Sequence, residues 1–400
     1  MQRVVIDEPY VPVLPKRGRF WPAVLKLYVP RLLRMGYGVT RVECQHVDRL
    51  QASIAARHGI LLAPNHCRDE DPVVLGMLAR AARTNLFIMA SWHVFKQNRL
   101  NAFLLPRAGA FSIYREGIDR AAVNTSIAML EHAERPLVMF PEGFISRTND
   151  RLTDLMEGVS LIARTAAKKR AKLNPPGKVV VHPVALRYRL SGDVGPALTK
   201  VMTDLEAQIT WPAQGHLPLL DRIYKLGEAL LTLKELQYLG APQSGPLRER
   251  IARLIDVVLA PLEDEWAGGR HDDNVNARVK RLRMAILPDL VQSGLPEAER
   301  TRRWRHLADA YFAQQLFHYP PDYLGADCPP ERLLETVERF EEDLTDKVRI
   351  HGNITATITV GEAIEVSPGR EGRGAEDPLL VEIARQLRAM LGLAAPGPQP

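Results

Sequence analysis

The stretch GILLAPNHCRDEDP, residues 59–72, joins an apolar run to a helix start and decides the fold class. Its first part, residues 59–64, is short, apolar and partly branched, which is typical of a strand buried on both faces. Asp71 and Pro72 then open an apolar helical pattern, because a carboxylate followed by proline favours a helix N-terminus. His66 is therefore predicted at the carboxyl end of a buried strand, where open α/β sheets usually place their sites.

The pair His66 and Asp71 has the chemistry to deprotonate a hydroxyl. A neutral imidazole accepts the proton of an attacking hydroxyl, and a nearby carboxylate fixes its tautomer and stabilises the imidazolium. The motif alone leaves a structural alternative, in which Asp71 only caps the helix and His66 is a polar residue at a strand end. Cys67 adds a nucleophile hypothesis, against which stands a simple packing role.

Three later segments also lead from apolar runs to polar or unusual residues. Residues 109–115 alternate toward Arg115 and predict a short strand that delivers a guanidinium to the end of a sheet. Residues 137–143 predict a strand that stops at a glycine, which permits close backbone approach to a ligand. Residues 179–186 form a strongly branched strand interrupted by Pro183, which indicates an edge, a bulge or a site wall.

In this order and spacing, the four segments resemble the four sequence blocks of the glycerolipid acyltransferase family, the group that contains lysophosphatidate and glycerol-3-phosphate acyltransferases. The first block, Asn-His followed by four residues and Asp, is matched by Asn65, His66 and Asp71. The resemblance implies that His66 is the general base on the acceptor hydroxyl and that Asp71 orients it. Asn65 is implied to take part in substrate binding.

The second block is matched by Gly109, Phe111 and Arg115, which the resemblance assigns to substrate binding. The family arginine helps hold the phosphate of the acceptor, and a planar guanidinium suits that role because it makes bidentate contacts. The fourth block, an apolar strand centred on a proline, is matched by Pro183 and is weakly specific alone.

The third block of the family, Phe-Pro-Glu-Gly-Thr-Arg-Ser-Arg, is matched in part. The residues of this chain that match it are Phe140, Pro141, Glu142, Gly143, Ser146 and Arg147. The resemblance assigns the last four of them to substrate binding. Phe144 and Ile145 replace the usual threonine and arginine, which removes one phosphate-binding cation and leaves the identity of the acceptor open.

The implied reaction is direct attack of the acceptor hydroxyl on an acyl thioester. The thioester is already activated, so no covalent acyl-enzyme, cofactor or metal is expected, and the donor is acyl-CoA or an acyl-carrier protein. Backbone N–H groups near Gly143 are expected to stabilise the oxyanion. The sequence shows no zinc-like ligand spacing, no glycine-rich phosphate loop and no Gly-x-Ser-x-Gly elbow, which disfavours metal, nucleotide and serine-hydrolase functions.

Composition indicates a protein of a reducing compartment that works at a membrane surface. The chain has 400 residues, of which 46% are hydrophobic, and three cysteines without paired spacing. It lacks an apolar run of membrane-spanning length and a signal-peptide pattern, so a cytoplasmic, soluble or peripheral protein is expected. The net charge of +6 fits anionic lipid or nucleic acid. Lipid is favoured, because no basic and aromatic nucleic-acid-binding module is evident.

Residues 20–36 place aromatic and aliphatic residues among Lys26, Arg31 and Arg34. This pattern predicts an interfacial helix with aromatic and cationic anchors. The alternative is an ordinary helix that packs on the core.

The whole pattern predicts an α/β fold, a mixed acyltransferase-like sheet flanked by helices, with a large α-helical insertion. Its parts are an N-terminal helical and interfacial segment (1–55), a discontinuous acyltransferase domain (56–196 and 349–394), the insertion (197–348) and a disordered tail (395–400). The insertion is a lid over the acyl chain, an oligomer surface, a carrier-protein docking site or, as favoured here, a buttress for the sheet.

Two hypotheses of function follow. The first is a peripheral membrane acyltransferase that uses an acyl thioester and a glycerol-phosphate or lysophospholipid-like acceptor. The second is a non-catalytic lipid-binding or scaffold protein on the same fold, motivated by Phe144 and Ile145. The retained His66 and Asp71 favour the first.

Overall fold

The computed structural model describes residues 8–115, 117, 119–209, 212–271, 274–291, 294–320, 322–347, 349–369 and 377–393. The tail predicted to be disordered, residues 395–400, lies outside them. The chain divides into two compact units. The sheet unit comprises residues 11–193 and 350–400, and the helical unit comprises residues 194–349 with residues 1–10.

The sheet unit is built on a mixed eight-stranded sheet, which confirms the predicted fold class. Its strands are β1 (Val39–Gln45), β2 (Gly59–Pro64), β3 (Phe87–Ser91), β4 (Ala110–Ile113), β5 (Leu137–Val138), β6 (Val179–Ser191), β7 (Asn353–Val360) and β8 (Ile364–Glu365). Their order is β1-β7-β6-β2-β5-β3-β4, with β8 paired to β6. Because β2, β3, β4 and β5 run parallel, their carboxyl ends meet at one edge of the sheet.

The helices of the sheet unit connect its strands and pack against the sheet. They are α1 (Phe20–Tyr37), α2 (Val47–Ala55), α3 (Asp71–Ala81), α4 (Trp92–Lys96), α5 (Arg99–Ala108), α6 (Arg120–His132), α7 (Gly158–Arg170) and α14 (Pro378–Leu391). One apolar core joins β2 and β6 to α6, α7 and α14. In α14, residues at helical spacing point into this core, namely Leu379, Ile383, Leu387 and Leu391. A stripe repeating every three or four residues is what buries one side of a helix.

Two elements differ from the sequence-based prediction. The stretch 39–45, within the segment predicted as helical, forms β1, because VTRVECQ is rich in β-branched and alternating residues and finds a parallel partner in β7. The sequence predicts one helical stretch over about residues 92–104, whereas the structure has two helices there, α4 and α5. Asn98 separates them, since its side chain accepts the backbone N–H of Asn101 at 2.7 Å and caps the second helix.

The helical unit contains α8 (Gly195–Gln208), α9 (Leu219–Leu239), α10 (Leu247–Trp266), α11 (Val275–Val291), α12 (Glu297–Phe317) and α13 (Pro330–Thr345). Apolar periodicity in the sequence predicts helices over residues 219–239, 247–266 and 275–291, and α9, α10 and α11 confirm these bounds. The helix α12 was not predicted, because its apolar residues do not form one clear stripe.

A repeated ion pair joins successive helices of this unit. The pairs are Glu206 with Arg222, Glu235 with Arg250 and Glu263 with Arg278, and their Nε–Oε1 distances are 2.8, 2.8 and 2.7 Å. In each pair, a buried glutamate near the end of one helix meets a buried arginine in the first turns of the next. The arginines begin the related sequences RIYKL, RIARL and RVKRL, each of which ends in a fully buried leucine. The unit therefore contains an internal helical repeat.

Candidate active site

The candidate active site lies where β2 ends. His66 follows this strand, and its Nδ1 lies 2.8 Å from Oδ2 of Asp71. Asp71 is fully buried, whereas 8% of the His66 surface is exposed. A carboxylate that accepts a hydrogen bond from Nδ1 leaves Nε2 with the lone pair, which is the arrangement of a general base.

The carboxylate of Asp71 turns back onto the connection that precedes α3. Its Oδ2 accepts the backbone N–H groups of Cys67 at 2.8 Å and Arg68 at 3.0 Å. Its Oδ1 accepts the hydroxyl of Tyr188. Asp71 is the first residue of α3, and the residue before it provides no side-chain cap. The aspartate therefore does more than cap a helix, since it fixes the connection that carries His66.

Cys67 lies on the buried side of this connection. Its side chain is 2% exposed, and its sulfur lies 4.0 Å from Oδ1 of Asp71 and from the carbonyl oxygen of Leu186. A nucleophilic cysteine needs access and a neighbour that favours the thiolate. The sulfur of Cys67 is buried, and the adjacent carboxylate disfavours a thiolate, so the packing role is favoured.

Glu142 fixes the backbone of His66 by a hydrogen bond. Its Oε1 accepts the backbone N–H of His66 at 2.7 Å. Its Oε2 accepts the backbone N–H of Thr153 at 3.1 Å and also the hydroxyl of that residue. Burial raises the pKa of Glu142, and its hydrogen bonds to Thr153 and His66 oppose that rise. Glu142 thus ties two loops together inside the protein.

The loop after Glu142 runs beside the base. Gly143 has a φ of +76°, and a Cβ there would lie 2.2 Å from the sulfur of Met156, so the turn requires glycine. The backbone N–H of Ser146 donates to the carbonyl oxygen of His66 at 2.8 Å. The Ser146 hydroxyl is buried and donates within its own loop to Thr148.

Arg147 is the partly exposed cation of this loop. Its φ is +54°, and its Nη2 lies 3.5 Å from Oδ2 of Asp69. About a quarter of its side chain is exposed, at 24%. The third block therefore contributes one buried support, Glu142, and one guanidinium at the surface, Arg147.

Two of the predicted residues shape the strand end. The side-chain amide of Asn65 pairs with the backbone of Leu186, accepting its N–H at 2.7 Å and donating to its carbonyl at 3.0 Å. Pro183 lies opposite Ala63 in the β2–β6 pairing, and its carbonyl accepts the N–H of Gly361 at 2.7 Å. The proline lies between the residues of β6 that pair with β8 and those that pair with β7, so its missing N–H falls at this change of partner.

The second block is divided between core and surface. Gly109 has a φ of +105°, and a Cβ there would lie 2.4 Å from the carbonyl oxygen of Leu86. Phe111 lies in the apolar core. Arg115 is exposed and follows β4, three strand positions from β2, which corresponds to about 14 Å across the sheet. Arg115 is therefore placed at the site edge but at a distance from the base.

Phe140, Tyr188 and Asn149 also belong to the site. The Phe140 ring stacks on His66 with centroids 3.9 Å apart, and it was predicted only as part of the third block. The sequence analysis missed Tyr188, which donates to Asp71, and Asn149, whose amide pairs with the backbone of Tyr188. Neither residue lies in a motif, so only the pairing of β6 with its neighbours brings them here. Within the described ranges, no group of three histidine, cysteine, aspartate or glutamate residues is arranged to hold a metal ion.

The histidine–aspartate pair lies where the parallel strand β2 ends, as the sequence predicts. Residues 41–187 match the family described as Acyltransferase. The chain is also similar to a 1-acyl-sn-glycerol-3-phosphate acyltransferase of Streptococcus pneumoniae (strain ATCC BAA-255 / R6), with 30% identity over 136 residues. That similarity covers 34% of this chain and spans about half, 48%, of the relative.

We predict that Glu142→Gln destabilises the protein without weakening the binding of acceptor. Glutamine keeps an oxygen for the N–H of His66 but cannot accept the two hydrogen bonds of Thr153 on its NH₂ group, which costs about 1–3 kcal/mol. Denaturant unfolding should show this loss, and Glu157→Gln, at an exposed position, should not. A large rise in acceptor KM with unchanged stability would show instead that Glu142 contacts substrate.

Proposed function

We propose that this protein transfers a fatty acyl group from an acyl thioester to a hydroxyl of a glycerol-phosphate or lysophospholipid-like acceptor, with His66 as the general base. The observation that carries the proposal is the hydrogen bond of 2.8 Å between Nδ1 of His66 and the buried carboxylate of Asp71. The match of residues 41–187 to the family described as Acyltransferase supports the reaction class. The name of the bacterial relative supports the acceptor class.

The proposed reaction needs one group that first accepts a proton and later donates it, and Nε2 of His66 has both roles. Nε2 of His66 takes the acceptor proton while the hydroxyl oxygen attacks the thioester carbonyl carbon. The tetrahedral intermediate then collapses, the C–S bond breaks, and the thiolate takes the proton from the imidazolium. The new ester and the free thiol leave, and His66 returns to its neutral form. No acyl-enzyme is formed, because the thioester is already reactive.

The donor is an acyl-CoA or an acyl-carrier protein, and no cofactor is required by these steps. The competing hypothesis is a non-catalytic lipid-binding or scaffold protein, suggested by Phe144 and Ile145 in the third block. Those side chains are half-buried in the loop beside His66, whereas the His66–Asp71–Glu142 arrangement is intact. The intact base favours catalysis, and the altered loop bears on the choice of acceptor.

We predict that His66→Ala abolishes acyl transfer and leaves the fold intact. A positioned base contributes about 10²–10⁴ in rate, and His66 lies at the mouth of the site. The measurement is thiol release from acyl-CoA and acyl-carrier donors with glycerol phosphate, lysophosphatidate and phosphate-free lyso-lipids as acceptors. His132→Ala, at an exposed position of α6, is the matched control.

Two outcomes contradict this prediction. Turnover retained in a folded His66→Ala variant would remove His66 from the mechanism. Binding of lyso-lipid by wild-type protein with no thiol release from either donor would favour the non-catalytic hypothesis.

We predict that Arg115→Ala weakens a phosphate-bearing acceptor far more than a neutral one. Arg115 is exposed at the edge where β4 ends, and a hydrogen bond between charged groups contributes about 10-fold to 100-fold in kcat/KM. The control is Arg120→Ala, an exposed arginine at the start of α6. Equal losses for lysophosphatidate and a phosphate-free lyso-lipid would exclude a phosphate role for Arg115.

We also propose that the sheet unit works at a membrane surface. No helix in the described part of the chain is both long and apolar enough to cross a membrane. The helix α1 nevertheless exposes large apolar side chains, with Leu27 at 71% and Met35 at 64%. The helix α5 adds exposed Leu100 and Phe103, and the rings of Trp21 and Phe103 join the two helices at 5.4 Å. We call this exposed apolar face of α1 and α5 the apolar patch.

Charge supports a lipid partner for the apolar patch. Arg31 and Arg34 are exposed on α1, and Arg99 is exposed on α5. Acidic residues outnumber basic ones between positions 194 and 349, so the rest of the chain carries the net positive charge. Apolar side chains edged by arginines suit the interface of an anionic bilayer. The end of α1 also lies near the site, since burial and then the charges of Glu70 and Asp69 raise the pKa of Tyr37.

We predict that replacing Phe20, Leu27 and Met35 together with serine weakens binding to anionic vesicles by more than about 10-fold, because burial of each side chain contributes about 1.5–3 kcal/mol. Turnover of a short-chain acceptor in solution should be unchanged. The control replaces Leu233 and Leu236, exposed apolar residues of α9, with serine. Vesicle co-sedimentation measures the effect. Equal binding by both variants would exclude the apolar patch as the membrane-binding surface.

A further inference from the structure

Tyr188 contacts Asp71 at Oδ1, the carboxylate oxygen that does not accept from His66. It lies in β6, it is 2% exposed, and its hydroxyl donates to Oδ1 of Asp71 at 2.5 Å. The other oxygen of the same carboxylate, Oδ2, accepts from Nδ1 of His66. A hydrogen-bonded chain of three side chains therefore runs from β6 through the start of α3 to the end of β2.

The tyrosine is held in place by its own surroundings. The side chain of Asn149 accepts the N–H of Tyr188 and donates to its carbonyl, both at 2.6 Å. On the opposite edge of β6, Tyr188 is in register with Ala356 of β7. The guanidinium of Arg68 lies 5.6 Å from the ring centroid. These contacts hold the backbone and the ring so that the hydroxyl lies against Oδ1 of Asp71.

We propose that Tyr188 is a positioning residue of the base, which orients the Asp71 carboxylate so that Oδ2 faces His66 and the imidazole keeps its proton on Nδ1. The proposal rests on the acyl-transfer function given above. Among the described residues, the remaining contact of Oδ1 is the thiol of Cys67 at 4.0 Å, which is a weak donor. Loss of the tyrosine hydroxyl would therefore leave one carboxylate oxygen poorly satisfied in a buried site.

The electrostatic consequence has a definite sign. Burial, followed by the charge of Asp71, raises the pKa of Tyr188 well above its usual value, so the phenol remains a donor throughout the working pH range. The titratable and charged groups around this chain are Cys67, Arg68, Asp69, Glu70, Glu142, Arg147 and Tyr37. They are unchanged when only the hydroxyl is removed. A carboxylate that is no longer held toward Nδ1 stabilises the imidazolium less, so on acidification the variant should lose activity at a lower pH.

The test is Tyr188→Phe, with Tyr238→Phe as the matched control. Tyr238 also donates to an aspartate, Asp309, at 2.6 Å, but it lies in the helical unit. We expect Tyr188→Phe to lower kcat by about 10-fold, the effect of one hydrogen bond to a charged group, with KM unchanged. The acidic limb of its pH profile should move to lower pH. Tyr238→Phe should change neither.

A double-mutant cycle separates positioning from a general loss of stability. In the Asp71→Asn background, Tyr188→Phe should have little further effect on kcat, because the two residues act through one contact. Additive losses, or an unshifted pH profile in Tyr188→Phe, would overturn the proposal.

A measurement without turnover distinguishes failure of this proposal from failure of the proposed function. Nitrogen NMR of the His66 ring reports its tautomer in the folded protein. We expect Tyr188→Phe to lower the fraction with the proton on Nδ1. An unchanged tautomer would overturn the positioning role even if the wild-type protein transfers no acyl group.

Discussion

The buried carboxylate of Asp71 is the constraint on which the site depends. A charge removed from water costs several kcal/mol unless it is paired and hydrogen-bonded. Asp71 meets that requirement with the ring of His66, two backbone N–H groups and the hydroxyl of Tyr188. These donors come from the connection after β2 and from β6. The need to satisfy one carboxylate therefore fixes the position of the base relative to the sheet.

Side chains near the strand ends also support the site, because they hydrogen-bond to backbone groups of β6 as a neighbouring strand would. Asn65 and Asn149 each pair by both amide atoms with a residue of β6, Leu186 and Tyr188 respectively. Glu142 accepts the N–H of His66 from the end of β5. Irregular loops at a strand end leave backbone groups without strand partners, and buried groups of this kind must be satisfied. Here the same hydrogen bonds satisfy the buried backbone groups and orient His66.

Sequence predicted those parts of the site that are local. His66 and Asp71 lie on one connection, so their spacing alone indicated a pair, and the helices α9, α10 and α11 followed from their apolar periodicity. The inward direction of Glu142 was not predictable, because its partners come from β2 and from a later loop. Tyr188 was missed for the same reason, since β-sheet pairing across more than a hundred residues places it against Asp71. The repeated glutamate–arginine pairs also depend on tertiary packing.

The residues that match the sequence blocks fall into two groups, one buried and one at the surface. Asp71, Glu142 and Ser146 are enclosed, and each is fixed by hydrogen bonds inside the protein. Arg115 and Arg147 reach the surface, where a changed side chain costs little stability. The departure at positions 144 and 145 falls on the half-buried loop between these groups. On the proposed function, a base held by a buried network and acceptor contacts at the surface would allow the acceptor to change while the base stays in place.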